Sequence, residues 1–260
     1  MSQEKNIAVE IARKAGQMVV QLQQGVKIEE KETNNLVTEA DTRAQAFIID
    51  AIRTHYPDAD FLGEEGDFER DLEAEDLWII DPIDGTNNYA HSIPLYSISI
   101  AYARRGQVKA GVVYLPALGE LFSAAEGEGA EFNGAPMRVS SSDSLERSII
   151  STGFYYDRGK MMKRTLSSIE ALFEANTRGI RRTGTAALDF SWVACGRFDG
   201  YFEYSLSPWD FAAGMLLVRE AGGICTDRDG APLSLASEGV IVSNGTIHEQ
   251  FLDVVRWEKL

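Results

Sequence analysis

The sequence predicts a layered α/β and α+β protein. Its first half reads as two helices packed on an antiparallel sheet, and its second half as alternating helices and strands. Three patterns predict this. Apolar residues recur at helical spacing twice before residue 55. From 77 to 125 they alternate in short runs separated by turn residues. Beyond 145 the two patterns take turns. The division falls at residue 140, giving lobes 1–140 and 141–260. No linker separates them, so they pack as one unit with a seam, a common place for an active site.

Ile7, Ile11, Ala15, Met18 and Leu22 stand three or four apart and predict the first helix. The polar stretch KIEEKETNNL follows as a connection. TEAD (38–41) reads as a capping box, with Thr38 as cap and Asp41 three residues on. Phe47, Ile48, Ala51 and Ile52 supply the apolar side of that second helix, and Pro57 closes the region. DLWIID reads as a short buried strand stopped by Pro82. YSISIAYAR and VKAGVVYLP alternate and are joined by RGQ, a hairpin signal. GELFSAAEG continues the meander, and AEFNGAPM ends it. In the second half, SIIST, FDGYFEY and GVIVSN read as strands. Residues 160–175, TAALDFSWVACG and TIHEQFLDVVRW read as helices. SPWDFAAGMLLVREAGG is the best-marked helix, with Ser207 as cap, Pro208 in first position, Asp210 as the boxed acid and Gly222–Gly223 as the stop.

The 260 residues carry 25 Lys and Arg against 40 Asp and Glu, a net charge of −15. Such a surface repels nucleic acid and anionic membranes. Cys195 and Cys225 are too few for a disulfide scaffold. A polar start and the lack of a long apolar run predict a cytoplasmic protein with no membrane span.

WIIDPIDGTNNYAH (78–91) is the segment that bears chemistry. An apolar strand delivers Asp81 at its end, and Asp84, Gly85 and Thr86 follow a proline turn. Buried acids need a partner or a metal. Hard divalent cations take carboxylate and carbonyl oxygens, which Asp81, Asp84 and the Ile83 carbonyl could supply. A chain turning helical after Gly85 would aim free N–H groups at the same point, a cradle for phosphate. The same string also fits a plain surface turn. Glu64 and Glu65 follow Phe61 and Leu62 and could add a ligand, or belong to a solvated run of eight acids from Glu64 to Asp76. Asp210 and Asp41 both have full work as capping-box acids, although Trp209 argues that the first of these helix starts is partly buried. Trp78 and Trp209 flank the acids and are expected to wall the site. His55, His91 and His248 show no ligand spacing. Arg181 and Arg182 steer phosphate or are simply solvated.

These blocks together resemble the inositol monophosphatase family, within the lithium-sensitive, metal-dependent sugar phosphatases. The resemblance rests on LGEEG (62–66), WIIDPIDGTNNYAH (78–91) and SPWDFAAGMLLVREAGG (207–223). NLVTEAD (35–41), GTAALD (184–189) and DGYFE (199–203) support it, in the family's order over nearly the whole chain. It implies α-β-α-β-α layers of the inositol monophosphatase and fructose-1,6-bisphosphatase kind. It implies two or three Mg²⁺ ions: Glu64, Asp81 and the Ile83 carbonyl on the first, Asp81, Asp84 and Asp210 on the second, Glu64 shared with a weaker third. Thr86 would orient the attacking water, with Asp41 accepting its hydrogen bond. Gly85 and Thr86 would give N–H groups to phosphate. Glu203 would bind polyol hydroxyls beside a strip formed by Gly184, Thr185 and Ala186. Asn87, Tyr89 and Asn35 depart from common family residues without removing a ligand. The implied activity is Mg²⁺-dependent hydrolysis of myo-inositol monophosphates by a homodimer. The alternatives are another small ester (fructose 1,6-bisphosphate, histidinol phosphate or a 3′-phosphoadenosine nucleotide) and a non-catalytic regulatory protein on the same fold. Members of the family can have partners in the transcription or RNA machinery, although direct nucleic-acid contact is not expected at this charge.

Overall fold

The computed structural model describes every residue except Met1, 24–27, 33–34, Arg70, 155–157 and 258–260; for 28–32 and 35–38 it describes the backbone alone. The chain runs α1 (Gln3–Leu22), β1 (Ile28–Glu32), β2 (Asn35–Thr38), α2 (Glu39–Arg53), β3 (Asp60–Gly63), β4 (Leu77–Asp84), α3 (Thr86–Ala90), β5 (Ser97–Arg104), β6 (Gln107–Leu115), β7 (Glu120–Ala125), β8 (Gly129–Phe132) and β9 (Ala135–Pro136). It continues through β10 (Ile149–Thr152), α4 (Lys160–Glu174), β11 (Gly179–Arg181), α5 (Ala186–Ala194), β12 (Gly200–Glu203), α6 (Pro208–Glu220), β13 (Ile224–Asp227), β14 (Val240–Ser243) and α7 (His248–Val255).

Strands β3 to β9 form a seven-stranded sheet in chain order, and a five-stranded sheet runs β11-β10-β12-β14-β13. The larger sheet is covered on one face by α1 and α2 and on the other by α6 and α5. Those two helices also touch the five-stranded sheet, whose far side carries α7, itself packed on α4. The result is five layers, α-β-α-β-α. Strand alternation sorts the side chains. Ile79, Ala101, Val113 and Phe122 face α5 and α6, while Trp78, Ile80, Ile100 and Val112 face α1 and α2. A third cluster, with Phe202, Ile241 and Phe251, lies under α4 and α7.

Helix α6 is buried at every position from Phe211 to Val218, as expected of a helix clasped between two sheets. Its close approach to β6 depends on Gly111, where a Cβ would stand 2.8 Å from the Ala213 carbonyl oxygen and 3.0 Å from its Cα. Backbone cannot yield as a side chain can. Gly111→Ala is therefore expected to destabilise the protein by about 1–3 kcal/mol. An unchanged denaturation midpoint would show that α6 can ride further from the sheet.

Several sequence expectations need correction. KIEEKETNNL is not a plain connection, because β1 and β2 pair antiparallel across it. The large sheet is not wholly antiparallel, because β3 pairs parallel to β4. Pro82 does not stop the strand: β4 runs on to Asp84, with a register shift against β5 between Asp81 and Asp84. A proline has no N–H to give and is tolerated at such an irregularity. In α1 the buried stripe runs through Ala12 and Val19, while Met18 is only half-buried. The short strands β11 and β13 were not expected. The Thr38 cap lies outside the described side chains. No helix among the described residues is long and apolar enough to cross a membrane.

Candidate active site

Parallel β3 and β4 end side by side, so Glu64 and the 81–84 segment emerge at the same edge. Beyond β4, Gly85 takes φ +92° as the N-cap of α3, a conformation that favours glycine. A Cβ there would also meet the Leu95 carbonyl oxygen at 3.1 Å. The chain does turn helical after Gly85, and Thr86 opens the helix. The Thr86 hydroxyl stands 3.2 Å from Asp41 Oδ1 and 3.1 Å from the Ile83 carbonyl oxygen, within donating distance of both. Asp41 is fully buried in the first turn of α2.

Asp81 and Asp84 are both buried. Asp81 Oδ1 accepts from the Ile83 N–H at 3.1 Å. Asp84 Oδ2 accepts from the Ala187 N–H at 2.7 Å, from the Thr185 hydroxyl, and from Ser97 Oγ at 3.5 Å. Asp210 closes the group from α6, where its Oδ2 accepts from the Ser207 N–H at 2.6 Å, half of the predicted capping box.

Burial holds the Asp81 carboxyl well above the ordinary aspartate range, and Glu64, Asp84, Asp210 and Asp41 each push it further. Asp210 is raised by burial, then by Asp84 and Glu64, against the Ser207 N–H. Asp84 is raised to about 6 by burial, moderated by Thr185 and the α5 amides. Acids that raise one another in a buried setting are an arrangement a cation would relieve. The donors are all oxygen and fit a hard divalent ion by chemistry. As they stand, no three His, Cys, Asp or Glu side chains among the described residues are gathered closely enough to hold one.

On the other side lies the turn 183–187. Gly184 has φ +93°, and a Cβ there would meet Arg182 Nη1 at 2.7 Å. The Thr183 carbonyl accepts from Asn88 Nδ2 at 2.9 Å, joining this turn to α3. Ala186 starts α5, with Thr185 as its N-cap. Glu203 ends β12, where Tyr201 donates to it at 2.6 Å. Burial raises Glu203 to about 7, while Tyr201 and then Arg182 pull it down. Arg182 thus acts on Glu203, a role the sequence did not suggest, while both arginines of the pair are exposed.

Trp209 and Glu64 share the wall of a cavity of about 230 Å³ with Phe68 and Leu62. Trp78 does not wall the site. It is fully buried among Tyr56 and Tyr102 on the α1 side. The sequence reading missed Ser97, which touches Asp84, and Asp189, a buried acid held by Thr183 at 2.8 Å. Ser97 had no motif to mark it, whereas Asp189 ends the GTAALD block and was given no role there. His248 is buried against Ser243 at 2.9 Å, away from the acids.

Residues 1–259 match the model of the inositol monophosphatase family. The chain is 44% identical over 253 residues to the fructose-1,6-bisphosphatase/inositol-1-monophosphatase of Thermotoga maritima, covering 96% of this chain and 94% of that protein. It is 39% identical over 254 residues to the Nus factor SuhB of Haemophilus influenzae, covering 96% and 95%. Among solved structures, the extragenic suppressor protein suhB from Bartonella henselae has a TM-score of 0.92 at 37% identity, covering 98% of this chain and 99% of that one.

Proposed function

The chain belongs to the inositol monophosphatase family and is a phosphatase, and from that premise we propose that it is a cytoplasmic, Mg²⁺-dependent enzyme hydrolysing myo-inositol monophosphates to inositol and phosphate. The observation that carries the reading is the group of mutually repelling acids beside the Thr86–Asp41 pair. Glu64, Asp81, the Ile83 carbonyl, Asp84 and Asp210 would hold two or three magnesium ions. Bound there, magnesium supplies Lewis acidity and positive charge where the phosphoryl group and its leaving oxygen sit.

The chain's own residues do the rest. With its proton turned to Asp41, the Thr86 hydroxyl offers lone pairs to the attacking water and orients it. N–H groups of Gly85 and Thr86 hold non-bridging phosphate oxygens. Glu203 and the 184–186 strip receive the ring hydroxyls. No covalent intermediate on the protein is required.

Arg182 beside Glu203 favours fructose 1,6-bisphosphate as a second reading, because a second phosphate would need a cation at that wall. Phosphate release from inositol 1-phosphate, fructose 1,6-bisphosphate, a 3′-phosphoadenosine nucleotide and glycerol phosphate, across a Mg²⁺ titration, separates these. Failure on every ester would favour the non-catalytic alternative. Inhibition by Li⁺ and by excess Mg²⁺ is expected.

Glu203→Gln is expected to raise KM for the inositol ester by about 10–100-fold, the scale of losing one hydrogen bond to a charged group, about 1.5–3 kcal/mol. Glycerol phosphate should be less affected. Equal losses for both esters, with weaker Mg²⁺ binding, would remove Glu203 from the polyol wall.

We also propose a homodimer. Leu166 and Phe173, seven residues apart on α4, are 49% and 54% exposed, large apolar groups that a second copy would cover. Light scattering that shows only a 28.7 kDa particle at micromolar concentration would reject it.

A further inference from the structure

Helix α2 bears two buried polar side chains one turn apart, Asp41 and Gln45, 0% and 5% exposed. Asp41 meets Thr86. Gln45 meets the other arm of the site. Its Oε1 accepts from the Glu65 N–H at 3.1 Å, and its Nε2 donates to the Glu65 carbonyl. One amide thus satisfies both backbone groups of a single residue, as a neighbouring strand would.

The chain needs such a partner there. β3 ends at Gly63, and the Glu64 N–H makes one more bond to β4, at 3.3 Å to the Ile80 carbonyl. Gly66 then takes φ +99° and the turn moves out to the surface. Gly63 makes room for the clamp: a Cβ there would stand 2.5 Å from Gln45 Oε1 and 3.0 Å from its Cδ. Gly63 does not have a left-handed φ, so space and not backbone freedom explains the glycine at this position.

We infer that Gln45 is a positioning residue, fixing Glu64 for magnesium through the backbone of Glu65. Glu64 is one of the acids that raise Asp81 and Asp210. Before a cation arrives, its carboxylate is repelled by its neighbours and is drawn towards solvent on the exposed side of the turn. A backbone held by β4 on one side and by Gln45 on the other opposes that. A neutral amide does so without adding charge. Because Asp41 and Gln45 share one helix, the water-orienting pair and the Glu64 arm are set by a single rigid element. This inference rests on the reading of Glu64 as a magnesium ligand.

Three variants test it. Gln45→Met keeps length and loses both hydrogen bonds. Gly63→Ala pushes the amide away without altering any polar group. Gln45→Glu keeps an acceptor for the Glu65 N–H. Mg²⁺ binding is measured by calorimetry on substrate-free protein, beside the Mg²⁺ dependence of phosphate release and a metal-free melting curve. Gln45→Met and Gly63→Ala are expected to weaken Mg²⁺ binding about tenfold, the scale for residues that support a ligand. KM for the ester at saturating Mg²⁺ should hold, and Gln45→Glu should restore part of the affinity. If both variants melt lower but bind Mg²⁺ like wild type, Gln45 serves the fold alone and the inference fails. If Glu64→Gln itself leaves Mg²⁺ binding unchanged, the ligand role of Glu64 falls, and this inference with it.

Discussion

Asp84→Asn is expected to lower kcat by about 10³-fold or more, the scale seen when charge developing in a transition state loses its support. The fold should survive. Asp84 Oδ2 accepts from the Ala187 N–H, Thr185 and Ser97, and an asparagine carbonyl oxygen can accept from all three. Only the charge is lost. Without metal, the variant should melt no lower than wild type at pH 8, because the ionised form it removes is the one that burial disfavours. Asp41→Asn provides the contrast. Asp41 reaches the site through Thr86, so its loss should be smaller, about 10–100-fold in kcat, with Mg²⁺ affinity unchanged. Steady-state kinetics at saturating Mg²⁺ decide. More than a tenth of wild-type kcat in Asp84→Asn would make the proposed ligand role untenable. A lower melting temperature with unchanged kcat in Asp41→Asn would leave Asp41 as a residue of the helix start alone.

Removal of divalent metal should abolish phosphate release and expose an unusual pH dependence of stability. Asp81 and Asp210 sit well above the aspartate range, Asp84 at about 6 and Glu203 at about 7. In the unfolded chain these groups titrate near 4. Between those limits the folded protein holds protons that the unfolded chain has released. The contribution of Asp84 and Glu203 to stability is therefore complete below about pH 4 and is lost as pH rises through 6 to 7, and that of Asp81 and Asp210 falls in the same direction with rising pH. Metal-free protein should melt higher at pH 5 than at pH 8. Saturating Mg²⁺ favours the ionised aspartates, so the rise in Tm it produces should grow with pH. An equal Mg²⁺ shift at pH 5, 6.5 and 8 would mean that these acids do not bind the ion.

The sequence made some features plain and hid others, for physical reasons. Helix α6 was fully marked, because Ser207, Pro208, Asp210 and Gly222 each answer a local backbone requirement. The acids of 81–84 stood out because charge after an apolar strand is rare without a purpose. The β1–β2 hairpin was illegible, since KIEEKETNNL has no alternating apolar residues. Pro82 misled because its effect depends on what opposes it, and the register shift against β5 removes the need for its N–H. The parallel pairing of β3 with β4 is set by the route of the chain between them, which no residue spells out. Trp78 was assigned to the site by nearness in sequence, yet three residues along a strand carry a side chain about 10 Å away and to the opposite face. Gln45 had no signal, because a glutamine in a helix is ordinary until its partner is known.

The lateness of α6 in the chain has a consequence for how the protein is made. The face of the large sheet that packs on α5 and α6 is complete once β9 ends at Pro136, but its cover arrives only with residues 186–220. At translation rates of roughly 5–20 residues per second, the intervening stretch takes on the order of ten seconds to synthesise. For that interval a nascent chain displays Ile79, Val113 and Phe122 to its surroundings. Ribosome-associated holdases should therefore engage this protein midway through synthesis. A premature stop anywhere before residue 208 should yield an aggregate and not a smaller folded unit, and slow codons between 137 and 207 should lower the soluble yield.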